Sequence, residues 1–147
     1  MIRLVRPVWD DTLELLRRCG RGHLECVVLW TGPISTPDIV DAALHPEHSA
    51  TAWSYRLDPT WLHRLHVDLY QQGRTIRAQV HTHGGKAFHS ATDDTYPAVN
   101  VPGFLSLVLP RFAVGRVRED EMWLAELAVD GEWGHARPSK RIEGLPS

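Results

Sequence analysis

The amino-acid sequence predicts an α/β sandwich, with helices packed on a mixed, largely antiparallel sheet. Three observations carry this. Two segments show helical periodicity with matching cap residues, short apolar or alternating runs follow them, and an Asp-Gly pair joins two strand-like runs near the C-terminus. The resulting order is helix, strand, irregular stretch, helix, strand, loop, strand, hairpin.

Residues 9–19 set Leu13, Leu15 and Leu16 among charges, with Asp10 and Asp11 at the start and Arg17 and Arg18 near the end. Acid first and base last suit a helix macrodipole, and Gly20 suits a C-cap. "LECVVLWTG" is short, apolar and rich in β-branched residues, which predicts a buried strand. Pro33, Pro37 and Pro46 then exclude long regular elements, leaving room for short strands around residues 38–42 and 51–55. A second helix opens with Asp58 as N-cap and Pro59 in the first helical position; Leu62, Leu65, Leu69 and Tyr70 form its apolar stripe before Gly73. In "TIRAQVHTH", Ile76, Ala78 and Val80 alternate with Arg77, Gln79, His81 and His83, a period of two and hence a strand. "GFLSLVLPRFA" predicts a buried strand stopped by Pro110, and Asp130-Gly131 turns the final hairpin. Residues 137–147 have the composition of a poorly ordered tail.

At 147 residues the chain is the size of one domain, expected to span 1–147, and too short for a (β/α)₈ barrel. A net charge of -2 leaves no basic field for nucleic acid, and "RRCGR" is a short solvated helix end. No apolar run reaches the length of a membrane span and the first residues lack a signal-peptide core, so the expectation is a cytoplasmic protein without membrane partners. Cys19 and Cys26 match neither a C-x-x-C motif nor a zinc knuckle; both are expected as thiols, with Cys26 buried.

The chemistry concentrates in "VHTHGGKAFHSATDD", residues 80–94. On a strand, His81 and His83 project from one face and can aim both imidazoles at one atom, on the side opposite Ile76, Ala78 and Val80. Gly84 and Gly85 let the backbone turn away afterwards. Two neutral imidazoles and a carboxylate from Asp93 or Asp94 would give the three-ligand, one-open-position set of catalytic zinc. Taken alone, H-x-H also fits a solvent-facing strand end, Ser90 and Asp93 also fit a helix-capping box, and Glu25 also fits an edge charge.

Taken together, Glu25 opening an apolar strand, then a helix, then "HTH" at a strand end, then "SATD", resembles the JAMM, or MPN-plus (JAB domain), zinc metalloprotease family. The resemblance runs from about residue 24 to 112. It implies an MPN fold, a cytidine-deaminase-like sandwich, and one catalytic Zn2+ held by His81, His83 and Asp93. It makes Glu25 the general acid/base and Ser90 the donor to the oxyanion. Gly84 stands where the family has proline, and the loop from His83 to Ser90 is one residue shorter than the common spacing. Counting from Ser90 selects Asp93; counting from His83 selects Asp94.

His89 reads as an exposed loop residue, and His23, His45, His48, His63, His66 and His135 show no ligand spacing. Other H-x-H sites fit worse, since "HxHxDH" is missing, no glutamate lies between His83 and Asp93 as a cupin needs, and no P-C-x-x-C run supports a deaminase. The resemblance implies an isopeptidase acting after the C-terminal tail of a ubiquitin-like protein or its conjugates, as small bacterial members do, with activating or conjugating enzymes as further partners. A non-catalytic scaffold of the same fold is the alternative from another class. A peptidase or amidase for a small peptide or sulfur-carrier substrate is the third.

Overall fold

Strand alternation builds a core on both faces of one sheet. The computed structural model describes residues 1–90 and 97–147. In chain order the elements are β1 (Ile2–Leu4), α1 (Val8–Gly20), β2 (Val27–Pro33), β3 (Ile39–Val40), β4 (Ala42–Leu44), β5 (His48–Ala50), β6 (Tyr55–Leu57), α2 (Pro59–Gln71), β7 (Arg74–Thr82), β8 (Leu105–Leu109), β9 (Trp123–Leu127), β10 (Trp133–Ala136) and β11 (Ile142–Glu143). Among the described residues, six strands form the main sheet in the order β10-β9-β8-β7-β2-β4. Within it β7 and β8 are parallel and the other neighbours antiparallel, as the alternating and apolar runs predict. β1 lies between β3 and β11 in a small parallel sheet, and β5 pairs with β6.

One face buries Val28, Trp30, Ala78, Val80, Leu105, Leu107 and Leu109 against Val8 and Leu16 of α1. The indole N–H of Trp30 is fully buried and donates to Thr12 Oγ1 at 2.8 Å, so its desolvation is compensated within the core. Val27, Leu29, Tyr55 and Ile76 bury the opposite face with Leu69 of α2. Asp58 caps α2 as expected, its Oδ1 accepting the Trp61 N–H at 2.8 Å.

Four local expectations change. Ile76 does not share a face with Ala78 and Val80, because Trp30 pairs with Ala78 while Thr31 pairs with Ile76. This leaves Arg77 as an extra residue on β7, a bulge that reverses the facing of everything before it. Arg77 turns its guanidinium to the Ile39 carbonyl at 2.8 Å, the Thr36 carbonyl at 3.0 Å and the Pro33 carbonyl. Tyr70 is exposed rather than part of the α2 stripe. Residues 137–147 are not a loose tail: β11 pairs with β1, and Ile142 is buried in the α1-side core. Cys26 is buried, but Cys19 and Cys26 form a disulfide rather than free thiols, with Cα atoms 6.2 Å apart. The left-handed C-cap Arg21 (φ 51°) and Gly22 (φ 76°) reverse the chain after α1 and return it past Cys19.

At the far end of β7, Arg74 ion-pairs with Asp41, and the hydrogen bond from Arg74 holds the Asp41 carboxyl below its ordinary pKa. Because the folded-state value is depressed, this stabilisation is present above about pH 4, where the unfolded carboxyl is ionised, and is lost as pH falls through the lower folded value. Solvent screening keeps it to about 0.5–1 kcal/mol. Asp41→Asn is therefore expected to lower stability by that amount at pH 7 in urea unfolding, with the difference from the parent closing in strong acid. A constant difference across that range would refute the pairing.

Candidate active site

The register of β2 against β7 assembles the site. Val27 pairs with His81, so the residue two before Val27 and the residue two after His81, Glu25 and His83, come opposite each other on the same face. The Glu25 carboxylate Oε1 lies 3.9 Å from His83 Nε2. All three side chains are shielded from solvent: Glu25 is 4%, His81 0% and His83 4% exposed. The histidine-bearing face is thus as buried as its reverse, contrary to the solvent-facing strand end that H-x-H alone permits.

Backbone bonds hold the three residues from both sides. The Glu25 N–H donates to the Thr51 carbonyl at 2.8 Å. The Cys26 N–H donates to Thr82 Oγ1 at 2.9 Å, and the Thr82 N–H returns a bond to the Cys26 carbonyl at 3.0 Å. Past the end of β7, the His83 N–H donates to the Leu109 carbonyl at 2.9 Å, and the His83 carbonyl accepts from the Phe112 N–H at 2.8 Å. The imidazoles of His81 and His83 have ring centroids 5.3 Å apart. Two buried imidazoles beside a buried carboxylate suit a divalent cation, whose charge would offset the cost of keeping that carboxylate out of water.

After His83 the chain folds back over these rings. Phe88 packs edge-on against His83 with centroids 4.5 Å apart, and His89 lies 6.2 Å from His81 while packing on Trp133 at 4.6 Å. His89 is consequently half-buried at the site rather than exposed in a loop. Ser90 follows it, also half-buried, so the structure brings Glu25, His81, His83 and the His89-Ser90 dipeptide into one neighbourhood. Asp93 and Asp94 lie outside the described residues.

Gln79 is the residue that sequence reasoning missed. It is fully buried on the His81 side of β7 and donates to Tyr55 Oη and Ser106 Oγ, both at 3.1 Å, while its Oε1 accepts the Ala98 N–H at 2.9 Å. The Tyr55 ring in turn lies 5.0 Å from that of His81. A polar residue at the same parity as two histidines was the available signal: a buried amide needs partners, so it marks where other segments converge.

Gly84, where proline is common in the resembling family, has a steric reason here. A Cβ at this position would stand 2.7 Å from Phe112 Cζ. Phe112 belongs to an unusual turn in which Arg111 (φ 53°), Phe112 (φ 52°) and Ala113 (φ 59°) are all left-handed, an arrangement that costs about 1–2 kcal/mol per residue. Arg17 of α1 holds the turn, donating to the Ala113 carbonyl at 2.8 Å and the Gly115 carbonyl at 2.7 Å.

Comparison with known proteins bears on this arrangement. The chain is 56% identical over 118 residues to the probable metalloprotease y4jG of Sinorhizobium fredii, a match spanning 76% of this chain and 72% of the relative. It superposes on a JAB1/MPN domain protein from Archaeoglobus fulgidus with a TM-score of 0.50 and 13% identity, covering 97% of this chain and 99% of the other. This chain belongs to the JAMM, or MPN-plus, metalloprotease family. No family model matches it. A solution structure from Desulfitobacterium hafniense shares the fold more closely, at TM-score 0.68 and 18% identity over 99% of this chain and 95% of the other. The expected MPN fold is therefore the observed one, and JAMM membership supports a metal-dependent peptidase. Among the described residues, no helix is long and apolar enough to cross a membrane.

Within this JAMM fold, Gly84→Ala is expected to push the half-buried Phe112 ring aside and lower stability by about 1 kcal/mol, the low end of overpacking costs. Denaturant unfolding should show the loss, and adding Phe112→Ala should remove the clash. A Gly84→Ala protein as stable as the parent would show that the two do not touch.

Proposed function

We propose that this chain is a zinc-dependent isopeptidase that hydrolyses the bond after the C-terminal tail of a ubiquitin-like protein, in deconjugation or in precursor processing. The observation that carries the reading is the buried Glu25 carboxylate 3.9 Å from the buried His83 imidazole, each held by the backbone of a neighbouring segment. A cation held between the buried carboxylate and the imidazoles would offset the cost of keeping that carboxylate out of water, which supports this reading.

His81, His83 and Asp93 would hold the ion, which when bound polarises the scissile carbonyl and lowers the pKa of water to about 7. Glu25 takes a proton from the attacking water and delivers one to the leaving amine, so the same carboxylate serves as base and then acid. Ser90, beside His89, donates its hydroxyl hydrogen to the oxyanion that forms on the attacked carbonyl. Thr82 and the Thr51 carbonyl keep the Glu25-Cys26 segment from drifting, since proton transfer requires hydrogen-bond reach.

Access to the histidines supports this choice of substrate class. Phe88 on His83 and Trp133 on His89 place aromatic rings around the histidines, favouring an extended tail of small residues over a bulky loop. Such a tail would be bound as an added strand. The enzymes that activate and conjugate the same ubiquitin-like protein would be its working partners, in the cytoplasm.

The test is cleavage of a ubiquitin-like protein fused through its C-terminal tail to a reporter. Zinc-loaded protein should cleave it, chelation should stop the reaction with zinc restoring it, and Glu25→Ala should slow it about a hundredfold or more. Full activity of Glu25→Ala would overturn the mechanism. Cleavage of short peptides with the fusion left intact would overturn the substrate while leaving the peptidase standing.

A further inference from the structure

A second group of metal-ligating side chains lies away from the histidines of β7. Cys19 sits in the last turn of α1, Cys26 immediately precedes β2, and His45 and His48 span the link from β4 into β5. None of these residues shows ligand spacing in the sequence, yet the fold brings one donor atom from each to within 4.8 Å of all the others. Cys26 Sγ lies 3.4 Å from His45 Nε2 and 3.7 Å from His48 Nε2, and Cys19 Sγ lies 3.4 Å from His48 Nε2.

These separations have a chemical meaning. In a tetrahedral S₂N₂ zinc site, Zn–S bonds of about 2.3 Å and Zn–N bonds of about 2.0–2.1 Å set sulfur and nitrogen about 3.6 Å apart. The three sulfur-to-nitrogen distances fall around that value. A second observation concerns the tautomer of His48. Its Nδ1 faces the Pro46 carbonyl at 2.9 Å, where only an N–H can bond, so Nε2 carries the free lone pair and directs it at both sulfurs. An Nδ1–H bonded to a carbonyl while Nε2 ligates is the usual outer support of a zinc-bound histidine. A disulfide requires nothing from two converging imidazoles.

We propose that Cys19, Cys26, His45 and His48 form a structural Zn2+ site, occupied when the two cysteines are reduced, with the disulfide as its oxidised, metal-free form. The exchange balances with a dithiol as reductant. Two electrons pass to the S–S bond, the dithiol closes to its own disulfide, and its two protons leave Cys19 and Cys26 as thiols. Zn2+ then takes both sulfurs as thiolates and two protons go to solvent. Four protein ligands close the coordination sphere, so the ion has no position for substrate and acts as a clamp. It would tie the end of α1, the start of β2 and the base of the β5-β6 hairpin together, beside Glu25. His45 and His48 also line an open cleft with Arg56, Asp58 and Trp61, which provides a route for the ion.

This site stands apart from the peptidase reading, and its test does too. The full chain is reduced with a phosphine, its thiols are counted, and it is loaded with Co2+ as a spectroscopic stand-in for zinc. A near-ultraviolet thiolate-to-cobalt charge-transfer band is expected, which the nitrogen and oxygen donors around His81 cannot produce. His45→Ala with His48→Ala should abolish the band, whereas His81→Ala with His83→Ala should keep it and retain one zinc per chain by elemental analysis. Two titratable thiols with no band in the parent protein would overturn the proposal. So would cysteines that cannot be reduced without unfolding the chain. Loss of peptidase activity with the band intact would leave the clamp standing.

Discussion

Everything at the site depends on one strand register, Val27 of β2 against His81 of β7. A slip of one residue would exchange the two faces of β7, sending His81 and Gln79 towards α1 and exposing the α2-side core to Ala78 and Val80. The buried polar groups resist that slip, because Trp30 must face α1 to donate to Thr12 while Gln79 must face the other side to reach Tyr55 and Ser106. The bulge at Arg77 confines the irregularity to the far end of the strand. It satisfies loop carbonyls there and leaves the pairing from Ala78 to His81 regular where the histidines lie.

A buried site needs polar groups that answer one another without water. Gln79 does this with Tyr55, Ser106 and the Ala98 backbone, and Thr82 does it with Cys26. Each bond joins β7 to a different segment, so the strand that carries the histidines also gathers the elements around them. The price is paid locally in the left-handed turn after Pro110, which Arg17 and the His83 and Gly85 carbonyls hold in place. Phe112 then fills the space above Gly84, where a Cβ would meet its ring.

Strand alternation also links the two groups of metal-binding type. Glu25 and Cys26 are neighbours in sequence, but Glu25 meets His83 on one side while Cys26 belongs to the α1-side core with its sulfur towards His45 and His48. One peptide therefore connects the Glu25 carboxylate to the Cys-His cluster. Whatever fixes Cys26, disulfide or metal, also limits the motion available to Glu25.

The sequence by itself determined the main elements and, through a family resemblance, pointed to a metallopeptidase site. Period-two alternation marked β7, Asp58-Pro59 marked the start of α2, and Glu25, H-x-H and S-x-x-D together carried enough chemistry to indicate a JAMM metallopeptidase. Periodicity and cap residues are local, so spacing reveals the elements, whereas the site was legible only as a combined resemblance that includes the distant Glu25. Tertiary structure decided what depends on contacts between distant segments. Ile76 changed face through a bulge, His89 moved from solvent to a place beside His81 and Trp133, and residues 137–147 gained order from β1. The Cys-His cluster is the clearest case, since its four residues come from three separate segments. Only the reversal after α1 and the turn between β4 and β5 bring their donor atoms together.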